Sequence, residues 1–128
     1  MEFPAVKGYS QVAMAEHLPA LCPQFHRAIE LIGKKWTGAI IYLLLRTRCR
    51  YAELRDAIPE ITDRMLSERL GELEEQGIVD RHVLPEAPVR VEYELTKKGR
   101  ALADALDAVG AWAHKWSDTP KSAAKKRG

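Results

Sequence analysis

Three residues, Pro59-Glu60-Ile61, are all that separate two short amphipathic segments, and few folds accommodate so tight a junction. Before it, Tyr51, Leu54 and Ile58 share one face, and Pro59 stops the helix because proline lacks the amide that a further turn requires. After it, Leu66, Leu70 and Leu73 form a narrow apolar stripe at about 100° per residue. Thr62 is placed to cap this second helix, and Gly77 stands where helices commonly close. Arg64, Ser67, Glu68, Gly71 and Glu75 point away from the stripe. Two short helices joined this way form a helix-turn-helix, and the second, over 62–76, is built to present side chains outward.

The residues that follow narrow the fold further. Val79, Arg81 and Val83 alternate with Asp80, His82 and Leu84; Val91, Tyr93 and Leu95 share one face of a second strand; Pro85-Glu86-Ala87-Pro88 lies between. A helix-turn-helix followed directly by a β-hairpin predicts a winged helix, in which the helix enters a major groove and the hairpin over 79–95 lies along neighbouring backbone or minor groove.

Upstream, Cys22-Pro23 opens a helix carrying Phe25, Ile29 and Ile32, which Gly33 ends; proline at the first helical position places Cys22 at the cap. A second helix is expected to begin near Lys35 and Trp36, with Trp36, Ile40, Leu43 and Leu44 on one face, and a short strand at Arg48 to Tyr51. Downstream, Thr96 caps a last helix running to about Trp116. Its stripe of Leu102, Leu106, Val109, Ala113 and Trp116, widened by Ala101, Ala105 and Trp112, is broader than one small domain covers. This predicts a homodimer whose interface uses Leu102, Leu106, Val109, Trp112 and Trp116, the alternative being that the tryptophans close the monomer's own core. The expected fold class is α+β: a mainly helical winged helix-turn-helix with a two- to three-stranded β-wing and a long C-terminal dimerisation helix.

At 128 residues, 46% hydrophobic and 30% charged, the chain has room for one such domain. Residues 1–20 are expected to form an N-terminal arm, irregular or with a short helix near Gln11 to His17, available as a dimer contact. Residues 21–117 form the domain, and 118–128 a basic disordered tail. The apolar run from Ala39 to Leu45 is far short of the ~20 residues of a membrane span, which points to a cytoplasmic protein with no membrane partner. The net charge of +2 is weak support for nucleic acid, because Lys121, Lys125, Lys126 and Arg127 sit in the tail. Without these four, 16 of the 20 basic groups remain against 18 acidic ones. Cys22 and Cys49, without a CxxC pair, suggest neither a disulfide scaffold nor structural zinc, and no cofactor or metal is expected.

From Cys22 to about Trp112 the chain resembles the HxlR-type family of bacterial winged-helix regulators, relatives of the MarR group. The resemblance is carried, in order, by Cys22-Pro23, Ile32-Gly33-Lys34-Lys35-Trp36, Tyr51-Ala52-Glu53-Leu54, Ile61-Thr62 with Leu66, Arg69-Leu70 to Leu73-Glu74, Gly77-Ile78-Val79, Val91-Glu92-Tyr93 to Leu95-Thr96, and Gly99. It implies a dimeric transcription factor that binds double-stranded DNA at a nearby promoter, usually as a repressor and sometimes as an activator. Two departures stand out: Tyr51 replaces a more usual phenylalanine, and Asp63 puts an acid at the start of the reading helix, which trims the positive field there.

The candidate DNA contacts are Thr62, Arg64, Met65, Ser67, Arg69, Arg90, Lys34 and Lys35. Arg64 is placed to pair bidentately with guanine or to grip a phosphate, unless it is a solvated charge. Thr62 can donate to a phosphate while capping, and Ser67 can bond phosphate or base. Arg69 flanks the apolar stripe and can pair with Glu72 or Glu53 instead. Arg90 is the wing candidate, with an acid partner as its alternative, and Lys34 and Lys35 are candidate phosphate contacts. Acids match or outnumber bases between residues 50 and 70, so dimerisation on two half-sites should matter.

Cys22 is the candidate for redox chemistry. A helix cap favours thiolate, with His26 one turn on able to assist if protonated, and some members of the resembling family sense oxidants or electrophiles with a cysteine here. An oxidant or small-molecule effector is thus a candidate partner; the alternative is an inert packed cysteine. An enzyme built on Cys22 and His26 would lack an oxyanion site, cofactor loop or metal cluster, so none is expected. The remaining competitor is a winged-helix protein-interaction module without sequence-specific DNA binding, which would not need Arg64 and Arg90 projecting together.

Overall fold

The computed structural model describes residues 18–117; the expected arm up to residue 17 and the basic tail lie outside the described residues. The chain divides into two units, Met1–Leu31 and Ile32–Gly128. The first holds nearly all of helix α1 (Pro23–Ile32). The expected proline-first helix is found: the Phe25 amide donates to Cys22 Sγ at 3.5 Å, and the His26 amide reaches the Cys22 carbonyl at 3.0 Å. Phe25 and Ile29, one turn apart, are both exposed.

In the second unit, α2 (Thr37–Leu44) begins later than the lysine-tryptophan pair suggests, because Trp36 adopts the left-handed conformation, φ 79°. The Thr37 amide closes the preceding turn on the Lys34 carbonyl at 3.2 Å. Thr37, Ile40, Ile41 and Leu44 are buried, while Trp36 and Leu43 are only half-buried, so the inward face is rotated from the expected one. Strand β1 (Cys49–Arg50) leads directly into α3 (Tyr51–Ala57).

The junction between α3 and α4 (Asp63–Glu75) is as tight as the sequence demands. The Ile58 amide donates to the Leu54 carbonyl at 3.2 Å and the Ile61 amide to the Ile58 carbonyl at 3.3 Å, with Glu60 in the left-handed region at φ 75°. Leu54, Ile58 and Ile61 from α3 and the turn, and Leu66, Leu70 and Leu73 from α4, are buried together with Ile40, Ile41 and Leu44. Each fully buried leucine or isoleucine contributes about 1.5–3 kcal/mol over an exposed one. Helix α4 starts where expected, with Thr62 Oγ1 accepting from the Met65 amide at 3.1 Å. It ends on paired bonds from the Gly77 amide to the Glu74 carbonyl, 3.0 Å, and the Ile78 amide to the Leu73 carbonyl, 2.9 Å. This closure puts Gly77 at φ 72°, where a side chain would be strained.

Strands β2 (Val79–Leu84) and β3 (Arg90–Leu95) form the expected hairpin, and β1 adds to it in an antiparallel sheet of order β1-β3-β2. The register sets Tyr93 opposite both Cys49 and Arg81, and Val79 opposite Leu95. Cys49, Val79, Tyr93 and Leu95 are buried on the inner face, whereas Val83, further along β2, is exposed.

Thr96 caps the next helix as expected, accepting from the Gly99 amide at 3.0 Å and donating to the Gly77 carbonyl at 2.6 Å. The single helix expected from Thr96 to Trp116 is instead two: α5 (Lys97–Arg100) and α6 (Ala103–Trp116). At Ala101–Leu102 the bonding tightens, the Leu102 amide reaching the Gly99 carbonyl three residues back at 3.1 Å; α6 then resumes with Leu106 on Leu102 at 2.9 Å. The first piece is held by close packing, since a Cβ at Gly99 would run into the Ile78 carbonyl. No residue of α6 is buried: Val109 is exposed, and Trp112 and Trp116 are 65% and 66% exposed, so among the described residues the tryptophans close no core. No helix among the described residues is long and apolar enough to cross a membrane.

Candidate nucleic-acid interface

The buried leucines of α4 fix which of its residues face outward, and the first turn carries the main polar display. The Arg64 side chain is 86% exposed, with its nearest acid, Glu68 Oε2, at 4.0 Å from Nε. That separation is at the outer limit of an ion pair, and an exposed pair of this kind is worth ~0.2–1 kcal/mol, which leaves the guanidinium free to exchange it for a phosphate or base edge. Thr62 keeps its hydroxyl proton available while its oxygen caps the helix. Met65 is half-buried beside this turn.

Arg69 behaves differently from the expected DNA contact. Its side chain is only 14% exposed; Nε donates to the Lys35 carbonyl at 2.9 Å and Nη1 to Glu72 at 3.2 and 3.3 Å. The guanidinium therefore ties α4 to the turn before α2, and the Glu72 pairing is the alternative already open from its place beside the leucine stripe. Lys34 Nζ meets the same Glu72 at 3.1 Å, and Lys35 Nζ lies 4.8 Å from the Trp36 ring centroid. Both lysines stay on the surface, but each has a partner within the chain.

The two departures at Tyr51 and Asp63 meet in space. Tyr51 Oη lies 3.0 Å from the Asp63 carbonyl, 3.2 Å from Asp63 Oδ1 and 3.1 Å from Ser67 Oγ. Arg55 Nη1 is 3.5 Å from Asp63 Oδ1. The Asp63 carboxylate is thus bonded to the Tyr51 phenol and paired with Arg55.

On the wing, Arg90 sits in its acid-paired alternative: Nε to Glu86 Oε1 at 3.5 Å and Nη1 to Glu92 Oε2 at 3.3 Å. Glu92 also takes Arg48 Nε at 2.8 Å. Burial by itself raises the Glu92 carboxyl, but Arg90 and Arg48 outweigh it and hold the group below the ordinary carboxylate range. Glu94 joins Arg48 at 3.6 Å, His82 at 3.0 Å and Arg100 at 3.2 Å. This outer-face network was not anticipated from the sequence; its only signal was the run of Glu92 and Glu94 at alternate positions of β3, opposite His82 and Asp80 in register.

Cys22 is exposed and Cys49 is buried. Besides accepting from Phe25, the Cys22 thiol donates to Gln24 Oε1 at 3.3 Å. His26, expected to assist it, pairs with Glu30 Oε2 at 3.3 Å instead, four residues on along the same helix. Burial, and then the charge of Glu53, push the Cys49 thiol above its ordinary value.

A capped helix presented outward by a helix-turn-helix, followed by a three-stranded wing, defines a winged-helix regulator of the MarR-like kind. The chain belongs to the HxlR-like helix-turn-helix family, whose model matches residues 31–121. It is 46% identical over 98 residues to the uncharacterized HTH-type transcriptional regulator YvaP of Bacillus subtilis (strain 168), covering 77% of this chain and 91% of YvaP. The reduced form of the transcriptional regulator YodB from B. subtilis matches with a TM-score of 0.70 at 44% identity, over 77% of this chain and 97% of that one. YodB structures in diamide-treated and quinone-bound forms also match. The redox regulator HypR in its oxidized form matches with a TM-score of 0.71 at 38% identity, over 77% of this chain and all, 100%, of HypR. The chain is accordingly similar to helix-turn-helix transcriptional regulators, some of them redox-responsive.

Proposed function

We propose that residues 21–117 form a homodimeric, cytoplasmic DNA-binding module that reads a pseudo-palindromic operator, with α4 in the major groove and the β2–β3 wing on adjacent backbone. The observation that carries this reading is Arg64, projecting 86% exposed from a capped first turn of α4. Thr62, Met65 and Ser67 flank it and complete the base- and phosphate-facing set, with Lys34 and Lys35 as phosphate contacts once they leave Glu72 and Trp36. Arg90 takes the same role on the wing by exchanging Glu86 and Glu92 for phosphate. Pairing of two such modules is supported by the uncovered Val109, Trp112 and Trp116 of α6; Leu102 and Leu106, half-buried on the same helix, border that face.

Oxidants or electrophiles are the proposed effectors, acting at Cys22. Its exposure and its place at the start of α1 support this, as do the diamide-treated and quinone-bound forms in which the relative YodB has been solved. A mobility-shift titration with DNA from upstream of the protein's own gene, repeated across a salt series, tests the reading. A specific complex weakening with salt is expected; absence of any specific complex sinks it. Arg64→Ala should cost ~1–3 kcal/mol of specific affinity, and an equal loss on random DNA would reduce Arg64 to a phosphate contact.

A further inference from the structure

We propose that Tyr51 sets the base specificity of the reading helix by dictating which way the Ser67 hydroxyl points its proton. This rests on the DNA-reading role of α4. Four oxygens meet here with two hydroxyl protons between them. Tyr51 Oη has one proton and three oxygen neighbours: the Asp63 carbonyl at 3.0 Å, Asp63 Oδ1 at 3.2 Å and Ser67 Oγ at 3.1 Å. The Asp63 carbonyl and carboxylate oxygens carry no proton and only accept. Were the phenol to donate to Ser67, its own lone pairs would face both Asp63 oxygens at 3.0–3.2 Å, a contact between acceptors only. The phenol proton therefore goes to Asp63, where the acceptor is charged and the bond is stronger. Arg55, 3.5 Å from the same carboxylate oxygen, keeps that acceptor in place.

The remaining contact, Ser67 to Tyr51, then has one polarity: Ser67 donates and the phenol oxygen accepts. A serine hydroxyl ordinarily serves as donor or acceptor and so tolerates either kind of base edge. Here the proton is committed inward, and the exposed side of Ser67 offers lone pairs alone. In the major groove, adenine N6 and cytosine N4 present amino donors, while guanine O6 and thymine O4 present acceptors. An acceptor-only Ser67 selects the amino-bearing bases and rejects the keto-bearing ones. Phosphate oxygens, also acceptors, are refused by the same polarity, so Ser67 is a base contact and not a backbone contact. At the position it faces, the operator should distinguish adenine or cytosine from guanine or thymine on one strand, without separating adenine from cytosine.

The test is selection of binding sites from random duplex DNA by the full-length protein, run in parallel for wild type, Tyr51→Phe, Ser67→Ala and Asp63→Ala, each first checked for native circular dichroism. Wild type should yield a motif in which one symmetry-related position per half-site discriminates amino from keto bases by on the order of three- to tenfold, the worth of one neutral hydrogen bond. Ser67→Ala identifies that position by flattening it. Tyr51→Phe, which keeps the ring and removes only the hydroxyl, should flatten the same position and no other. Asp63→Ala leaves the Asp63 backbone carbonyl, 3.0 Å from the phenol, to take its proton, and should keep the discrimination at that position. A Tyr51→Phe motif identical to wild type, or a Ser67→Ala change at a position that sorts purine from pyrimidine, overturns the inference while leaving the regulator reading intact. Failure of wild type to enrich any motif overturns both.

Discussion

Replacing Arg69 with alanine separates the residues that build the reading helix from those that read. Its Nε donates to the Lys35 carbonyl at 2.9 Å, 34 residues away in sequence, and its Nη1 meets Glu72 at 3.2 Å. A hydrogen bond from a charged donor is worth ~1.5–3 kcal/mol. The ion pair adds less, ~0.2–1 kcal/mol, because Glu72 is partly solvated and still has Lys34 at 3.1 Å after the substitution. The expected loss is therefore about 2–4 kcal/mol of unfolding free energy, carried mostly by the carbonyl. In a domain of this size each 1 kcal/mol shifts the melting temperature by roughly 4–8 °C, so a fall of at least roughly 8 °C should be seen. The assay is urea unfolding at fixed protein concentration, since dimerisation couples to stability. The midpoint should drop with the slope unchanged. Arg64→Ala, the control, should stay within ~0.5 kcal/mol of wild type while losing DNA affinity. If Arg69→Ala melts like wild type and loses DNA affinity as Arg64→Ala does, the inward tether is wrong and Arg69 reads DNA after all.

Trp112→Ala should raise the dimer dissociation constant at least ~30-fold, the scale of a buried tryptophan hot spot, without unfolding the chain; an unchanged sedimentation equilibrium removes α6 from the interface. Iodoacetamide should label Cys22 well before Cys49, because the first is exposed and the second is buried with its thiol form favoured; equal rates by mass spectrometry would contradict the burial. Cys22→Ser should keep DNA binding and lose any response to diamide or quinones, and a preserved response excludes Cys22 as the sensor. Glu92→Gln probes the wing. A carboxyl held below its usual value by Arg90 and Arg48 contributes stability that is present above about pH 4.3 and lost as pH falls through the lowered value. The stability gap between wild type and Glu92→Gln should accordingly narrow below about pH 4.3, and a gap constant down to pH 3 would show that the charge is not what Glu92 contributes.

What the amino-acid order determines by itself is what depends on neighbours within a turn or a pleat. The Leu66-Leu70-Leu73 stripe, the Thr62 and Thr96 caps, the Gly77 closure and the alternation of Val91, Tyr93 and Leu95 all follow from local periodicity and local hydrogen bonding. They were legible because each involves residues a few positions apart, and the family resemblance rests on the same features. The fates of the polar side chains were not legible in this way. Arg69 went inward because the chain brings the Lys35 carbonyl beside it, and Arg48 reaches Glu92 because the register sets β1 beside β3, where Arg90 already stands two residues from Glu92 on the same strand. The helix after Thr96 breaks at Ala101–Leu102 although neither glycine nor proline stands there, a break with no signal in the local sequence. Tyr51 and Asp63 look like two unrelated departures in the sequence, 12 residues apart; packing α3 against α4 makes them one hydrogen-bonded group with Ser67. A long polar side chain has many partners within reach, and only the path of the backbone through space chooses among them.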